Sequence, residues 1–324
     1  MNKEEWVALV QKSPFSSFFQ TPECYDFYAS LSFLKPFVFA VSENEKLVGL
    51  LCGYIIAEKN LLKRFFSRRA IVPGGLLLDE NISENALQKL LNFTVKSLKN
   101  EVIYMEVRNY SDYSKFRSTV EKCCFCYQPQ LNFHIQTQNA EIALKQLSST
   151  KRRDIKISQR AGVETIEISD EKDLKNYYEL LRNLYKSKVK TPLFPYEFFE
   201  KLKELPNGKV FGVKYQAKII GGSACVFLEN KAVYEWFACG LDKKFNHIYP
   251  STLATWAGVE YAANNGYQYF DMMGAGKPGE NYGVREFKAK FGGELVEFGR
   301  FLYVCNNFLY YIGQTAIKII KRGK

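Results

Sequence analysis

The stretch that decides the fold is Val210 to Cys239, VFGVKYQAKIIGGSACVFLENKAVYEWFAC. Its apolar runs are rich in β-branched and aromatic residues and are separated by short polar turns, the pattern of consecutive antiparallel strands. The turns are Gln216-Ala217 and Glu229-Asn230-Lys231. The three predicted strands are 210–215, 219–228 and 232–239.

A predicted helix and a fourth strand follow this sheet segment. Residues 251–264 place Leu253, Trp256, Ala257 and Tyr261 on one helical face. Asn265-Gly266 is a plausible helix stop, and the strand 267–271 comes next. Strands followed by a helix and a further strand predict an α/β (α+β) fold with helices packed on a mixed sheet.

The first half of the chain repeats this order of elements. The predicted elements are strands 37–41, 47–56 and 69–78, a helix at 84–98 and a strand at 102–107. Each half also begins with a helix, the first one capped by Thr21 with Pro22 at its first position. A repeat of about one domain length predicts a duplication, and we place the two domains at 1–145 and 146–324.

Composition narrows the class of protein. The 324 residues carry a formal net charge of +11, which favours an anionic partner. The N-terminus lacks a signal-peptide pattern and no apolar run is long enough to span a bilayer, so we expect a cytoplasmic protein with its eight cysteines as free thiols. With two histidines in the chain, we expect no metal site.

The loop from Met272 to Glu280 is glycine-rich and leaves a strand end, where ligand sites of α/β proteins often form. It is not a nucleotide-binding P-loop, because Gly276-Lys277 is followed by Pro278 where Ser or Thr is required. From composition alone, a solvated surface loop is the other interpretation.

An ordered set of short motifs resembles the Fem-type aminoacyltransferases, which build the peptide bridges of peptidoglycan. The motifs extend over nearly the whole chain, and their order carries the resemblance. In the second half they are Arg152-Arg153-Asp154-Ile155-Lys156, Ala161-Gly162-Val163, Pro250-Ser251, Phe270-Asp271, Phe287-Lys288 and Phe291-Gly292; in the first half they are Phe19-Gln20-Thr21 and Pro73-Gly74-Gly75 to Asp79. The resemblance implies two tandem domains of the GNAT-like fold.

It also implies transfer of an amino acid from aminoacyl-tRNA to an amine of a peptidoglycan precursor, without a cofactor. Lys288 matches the family's lysine after phenylalanine, for which stabilisation of the tetrahedral oxyanion is proposed; a surface ion pair is the structural alternative. Asp271 is a second catalytic candidate that could orient the amine or accept its proton, although a strand-end aspartate often caps a loop.

The resemblance supplies weaker candidates for substrate binding. Lys188 lies roughly where the family often has an arginine that holds substrate phosphate. Tyr28 lies near a substrate-binding lysine of the family, and its helical face also fits a core position. Tyr249, Tyr282 and Phe287 are candidates for lining the substrate groove.

Two basic stretches are candidates for contact with tRNA or phosphate. Arg152, Lys156 and Arg160 recur at every fourth position and so share one helical face, which can equally be a solvated face. The other stretch comprises Lys59, Lys63, Arg64, Arg68 and Arg69. The aromatic and basic C-terminal stretch, 308–322, fits an interfacial helix at the inner face of the membrane and equally a terminal helix packed on its domain.

Two alternatives remain at this point. A GNAT-type N-acyltransferase would use acyl-CoA, for example on amino sugars of a surface polysaccharide, but it needs a glycine-rich turn for the pyrophosphate. The corresponding stretch, 241–251, contains no glycine. The other alternative is a basic, non-catalytic binding module.

Overall fold

The computed structural model describes residues 2–57, 67–189, 191–245 and 247–322. It divides the chain into two compact units, one comprising Met1–Gln130 and Glu297–Lys324 and the other Leu131–Val296. Lys59, Lys63 and Arg64 of the basic stretch lie outside the described residues.

The first unit contains a mixed sheet in the order β1-β2-β3-β5-β14-β6, with β4 paired to β2. Only β3 and β5 are parallel neighbours among the pairs along this order. The strands are β1 Leu34–Glu43, β2 Lys46–Ile56, β3 Arg69–Gly74, β4 Leu77–Leu78, β5 Tyr104–Asn109, β6 Cys126–Gln128 and β14 Arg300–Val304.

Helices cover this sheet, and their ends follow the local sequence. Thr21 caps α2 by accepting a hydrogen bond from the N–H of Cys24, and Pro22 occupies the first helical position, as predicted. Ser83 caps α3 in the same way through the N–H of Ala86, and the apolar face of α3 packs on the sheet. The helices are α1 Lys3–Lys12, α2 Pro22–Ala29, α3 Glu84–Leu98, α4 Arg117–Lys122 and α11 Asn307–Arg322.

The second unit contains a sheet in the order β13-β7-β12-β11-β10-β9-β8, in which β11 and β12 are parallel. Its strands are β7 Leu131–Gln136, β8 Glu164–Glu167, β9 Gly208–Tyr215, β10 Lys218–Leu228, β11 Ala232–Gly240, β12 Tyr269–Asp271 and β13 Glu294–Glu297. Its helices are α5 Ala140–Gln146, α6 Ser149–Arg160, α7 Glu171–Leu184, α8 Tyr196–Glu204, α9 Pro250–Asn264 and α10 Gly283–Ala289.

The α/β fold class is confirmed, and the two sheets share one plan. In each sheet three antiparallel strands lead through a helix to a strand parallel to the third one. The next strand in each sheet is antiparallel and comes from elsewhere in the chain: β14 beside β5 and β7 beside β12.

The division of the chain therefore differs from the predicted boundary at 145/146. Residues 131–145 lie with the second unit and 297–324 with the first. The physical reason is strand pairing: β5 and β12 would otherwise be edge strands with unpaired backbone groups, and β14 and β7 satisfy them.

The described residues contain neither a membrane-spanning helix nor a cluster of metal ligands. No helix in these ranges is long and apolar enough to cross a membrane. No group of histidine, cysteine and acidic residues within them is arranged to hold a metal ion.

Candidate active site

The candidate site lies in the second unit, where the parallel strands β11 and β12 separate. Their ladder covers only three pairs and ends with Tyr234 opposite Asp271. Beyond it β11 continues to Gly240, while the chain after Asp271 leaves the sheet as the glycine-rich loop. Glu235 and Met272 are therefore the first residues beyond the ladder on the two sides of the opening.

Asp271 is fully buried and its carboxylate is surrounded by protein groups. Its Oδ1 accepts hydrogen bonds from Asn132 Nδ2 and from the N–H of Met273, both at 2.7 Å. Its Oδ2 lies 3.1 Å from Nε2 of His134, the residue opposite it on β7. These contacts match the loop-capping alternative: Asp271 fixes the point at which the loop leaves the sheet.

Lys288 lies on α10 and reaches back to the same loop. Its ammonium donates hydrogen bonds to the carbonyl oxygens of Met272 and, at 2.8 Å, of Gly274. Burial lowers the pKa of Lys288, while the negative charges of Glu235 and Asp271 act in the opposite direction. The structure thus brings the two predicted catalytic residues together through two residues of the loop.

Arg285 holds the rest of the glycine-rich loop from the same helix. Its guanidinium donates to the carbonyl oxygens of Ala275 at 2.8 Å, of Glu280 at 2.9 Å and of Lys277. The loop carbonyls therefore point toward cations of α10. A P-loop instead turns its N–H groups toward an anion, so this geometry agrees with the exclusion of a nucleotide site.

Glu235 is a residue of this site that the sequence reasoning missed. Its side chain is 5% exposed, and among the described residues Oε1 has no hydrogen-bond partner. Burial raises the pKa of Glu235, opposed by the charge of Lys288 and a hydrogen bond with Thr255. The signal available in the sequence was a carboxylate inside the otherwise apolar run 232–239.

A buried amine, Lys151 on α6, contacts an aromatic ring of α10. It donates a 2.6 Å hydrogen bond to the hydroxyl of Thr252, and its Nζ lies 4.0 Å from the centre of the Phe287 ring. Burial lowers the pKa of Lys151 to about 8. The Phe287 ring also packs on Phe291, so the Phe-Lys pair of the sequence motif is held by an aromatic and cationic cluster.

The other predicted substrate residues differ in their surroundings. Tyr282 immediately precedes α10, is 40% exposed and packs against Gly276, where a Cβ would lie 2.9 Å from the Tyr282 ring. Tyr249 is half-buried before α9, and its N–H donates to the hydroxyl of Ser158 at 3.2 Å. Lys188 is exposed in the π-helical segment Tyr185–Val189.

Tyr28 does not belong to this group. It is fully buried in the first unit, where its ring packs 4.8 Å from that of Tyr54. Burial raises the pKa of its hydroxyl well above the usual value. Tyr28 therefore occupies a core position, because a side chain without exposed surface does not reach a ligand.

The basic face of α6 is formed as predicted from its spacing. Lys156 and Arg160 are exposed, whereas Arg152 donates hydrogen bonds to the carbonyl oxygens of Lys145 and Leu147, at 3.1 and 2.6 Å. Arg152 therefore also ties α6 to the end of α5.

The start of α9, where an acyl-CoA enzyme would hold pyrophosphate, is occupied by a carboxylate. Asp242 accepts hydrogen bonds from the N–H of Ser251, at 3.1 Å, and from its hydroxyl. A negative side chain on these donors takes the place that a phosphate would need. The structure thus adds a second argument against acyl-CoA to the absence of glycine in 241–251.

In sequence, this chain is similar to known proteins of the Fem type. Residues 195–318 match the model of the FemAB family. The aminoacyltransferase FemA of Staphylococcus aureus strain MRSA252 is 22% identical, with 99% of this chain and 98% of that protein covered.

Solved structures show the same architecture. The crystal structure of FemX superposes with a TM-score of 0.73 at 15% identity, covering 96% of this chain and 98% of FemX. A tandem GNAT protein from the clavulanic acid biosynthesis pathway superposes with a TM-score of 0.55 at 11% identity, covering 94% and 95%. These matches confirm the resemblance to the Fem-type aminoacyltransferases and the GNAT-like fold that the sequence predicted.

Proposed function

We propose that this protein is an aminoacyltransferase that moves an amino acid from aminoacyl-tRNA to an amine of a peptidoglycan precursor. The full-length similarity to FemA, whose name states aminoacyl transfer, supports the reaction class. The observation that carries the proposal is Lys288, an ammonium held at the opening between β11 and β12.

The chemistry needs a group that stabilises negative charge on oxygen. The amine nitrogen attacks the ester carbonyl carbon, its proton passes to the leaving ribose oxygen, and the carbon–oxygen ester bond breaks. An ammonium has three N–H donors, and Lys288 uses two of them in hydrogen bonds to the carbonyl oxygens of Met272 and Gly274. The third has no partner among the described residues, which leaves it for the tetrahedral oxyanion.

We assign supporting roles to the other site residues. Asp271 acts by positioning, because it fixes the loop whose carbonyls hold Lys288. Lys188, Tyr249, Tyr282 and Phe287 contact the acceptor in this proposal. Arg152, Lys156 and Arg160 of α6 meet the phosphates of tRNA.

We further propose that α11 touches the inner, anionic face of the membrane, where lipid-linked precursors lie. Phe308 and Tyr311 at its start are 73% and 72% exposed. Sedimentation with phosphatidylglycerol vesicles should recover the wild type, and Phe308→Ser with Tyr311→Ser should reduce recovery because apolar area is removed. Equal recovery of both proteins would exclude this role of α11.

Thermal stabilisation by candidate ligands tests the function. A ligand that binds only the folded protein raises its Tm. We expect a soluble nucleotide-linked muropeptide or aminoacyl-tRNA to raise Tm, and acetyl-CoA to leave it unchanged because Asp242 occupies the start of α9. A shift with acetyl-CoA alone would favour the acyl-CoA alternative and reject this proposal.

A further inference from the structure

A cluster of charged residues lies on one face of the sheet of the first unit. We call Arg69, Arg108, Arg300 and Glu106 the arginine cluster. Glu106 and Arg108 share a face of β5 because side chains alternate along a strand. Arg300 of β14 is directly opposite Arg108, and Arg69 of β3 is the register partner of Tyr104, two residues before Glu106.

Charge in this cluster is not balanced. Arg108 Nε donates to Oε1 of Glu106 at 2.5 Å, and Arg300 Nη1 donates to the same oxygen at 3.2 Å. Burial would raise the pKa of Glu106, but the charges of Arg108, Arg300 and Arg69 lower it to about 2, so the carboxylate is ionised. Three guanidinium groups then face one carboxylate, and no other ion pair among the described residues neutralises them.

The pairing of Arg108 with Arg300 is unfavourable for the sheet by itself. Like charges directly opposite each other on neighbouring strands are destabilising. Burial lowers the pKa of Arg300; the charge of Glu106 opposes this effect and the charge of Arg108 adds to it. A cluster that served only to hold the sheet together would need fewer arginines or more carboxylates.

The guanidinium groups of Arg108 and Arg300 are partly exposed, and each has N–H donors without a partner among the described residues. The side chains of Arg108 and Arg300 are 36% and 31% exposed. Within the described parts of the chain, each donates one N–H to Glu106 and none elsewhere. An arginine has five such donors, arranged in a fork that fits two oxygens of a carboxylate or phosphate.

We propose that the arginine cluster binds an oxyanion, carried by its ligand as a phosphate or a carboxylate group. The ligand supplies the negative charge that the cluster lacks and bridges the forks of Arg108 and Arg300. Arg69 adds long-range attraction. All four residues of the cluster belong to the first unit.

The test is the Tm of the wild type in inorganic pyrophosphate and, separately, in succinate, each compared with sodium chloride at equal ionic strength. We expect at least one of the two anions to raise Tm. Stabilisation by pyrophosphate would identify the bound group of the ligand as a phosphate, and stabilisation by succinate would identify it as a carboxylate. Arg300→Gln should weaken that anion's apparent affinity about tenfold or more, because it removes a charge-assisted bidentate interaction. Lys99→Gln, an exposed lysine of the same unit, should leave it unchanged.

The anion-free Tm separates binding from a structural role. The Tm of Arg300→Gln without anion is the baseline for its response to anions, since the change removes both the repulsion from Arg108 and the hydrogen bond to Glu106. The proposal is overturned if neither anion stabilises the wild type beyond sodium chloride, or if Arg300→Gln responds to anions as the wild type does. Arg108→Gln provides the same comparison if Arg300→Gln does not fold.

Discussion

At the scale of the residue, the site pairs the half-buried Lys288 with the buried Glu235 at a strand opening. Lys288 and Glu235 influence each other's ionisation, and each is displaced from its usual pKa by burial. Lys288 must keep its proton to stabilise an oxyanion. We therefore infer that Glu235 helps to keep Lys288 protonated.

Replacing Glu235 by Gln should move the alkaline limb of the kcat/KM profile to lower pH. The ionised carboxylate raises the pKa of Lys288 against the effect of burial, so its removal lets the ammonium lose its proton earlier. The measurement is kcat/KM across the alkaline range for the wild type and Glu235→Gln. Glu286→Gln, an exposed carboxylate on α10, is the control with an unchanged limb. An unchanged or upward-shifted limb in Glu235→Gln contradicts the assigned role.

The sequence identified Lys288 and Asp271 because each belongs to a short local motif. It did not identify Asn132, which binds Asp271 from 139 residues away. Such a contact depends on which strands become neighbours, and side-chain alternation alone does not contain that information.

At the scale of the element, helix ends and the hairpin strands followed the local sequence closely. The helix expected at 84–98 is α3, and the expected strands 210–215 and 219–228 lie within β9 and β10. Caps, turns and periodicity are local properties, so they could be predicted directly from the sequence.

The proposed role of α6 is contact with the phosphates of tRNA. Removing charge from α6 should weaken tRNA binding in a salt-dependent way. Each phosphate contact releases counterions, so Lys156→Gln with Arg160→Gln should reduce the slope of log K against log salt by about one for each phosphate that is no longer bound. Filter binding of charged tRNA at several salt concentrations measures this. Lys96→Gln with Lys99→Gln, at the end of α3, makes the same change of charge elsewhere. Equal slopes in the two double variants would place the tRNA away from α6.

At the scale of the whole molecule, the duplication was predictable and the division of the chain was not. The two halves repeat hairpin, third strand, helix and parallel strand, and each repeat is visible in the sequence. β7 and β14 are short strands of five or six residues whose sequence does not state which sheet they join. Their assignment follows from the need of β12 and β5 for an antiparallel partner.

Lys288 supplies the charge for aminoacyl transfer in the proposed reaction, and an assay of the transfer itself is the sharpest test of this role. Labelled aminoacyl-tRNA and a nucleotide-linked muropeptide are incubated with the wild type, Lys288→Ala and Lys290→Ala, whose lysine is exposed two residues further on. We predict transfer by the wild type and by Lys290→Ala, and a loss of about a hundredfold or more in folded Lys288→Ala, because one oxyanion donor contributes about 3 kcal/mol. Transfer by Lys288→Ala at the wild-type rate would rule out this role of Lys288.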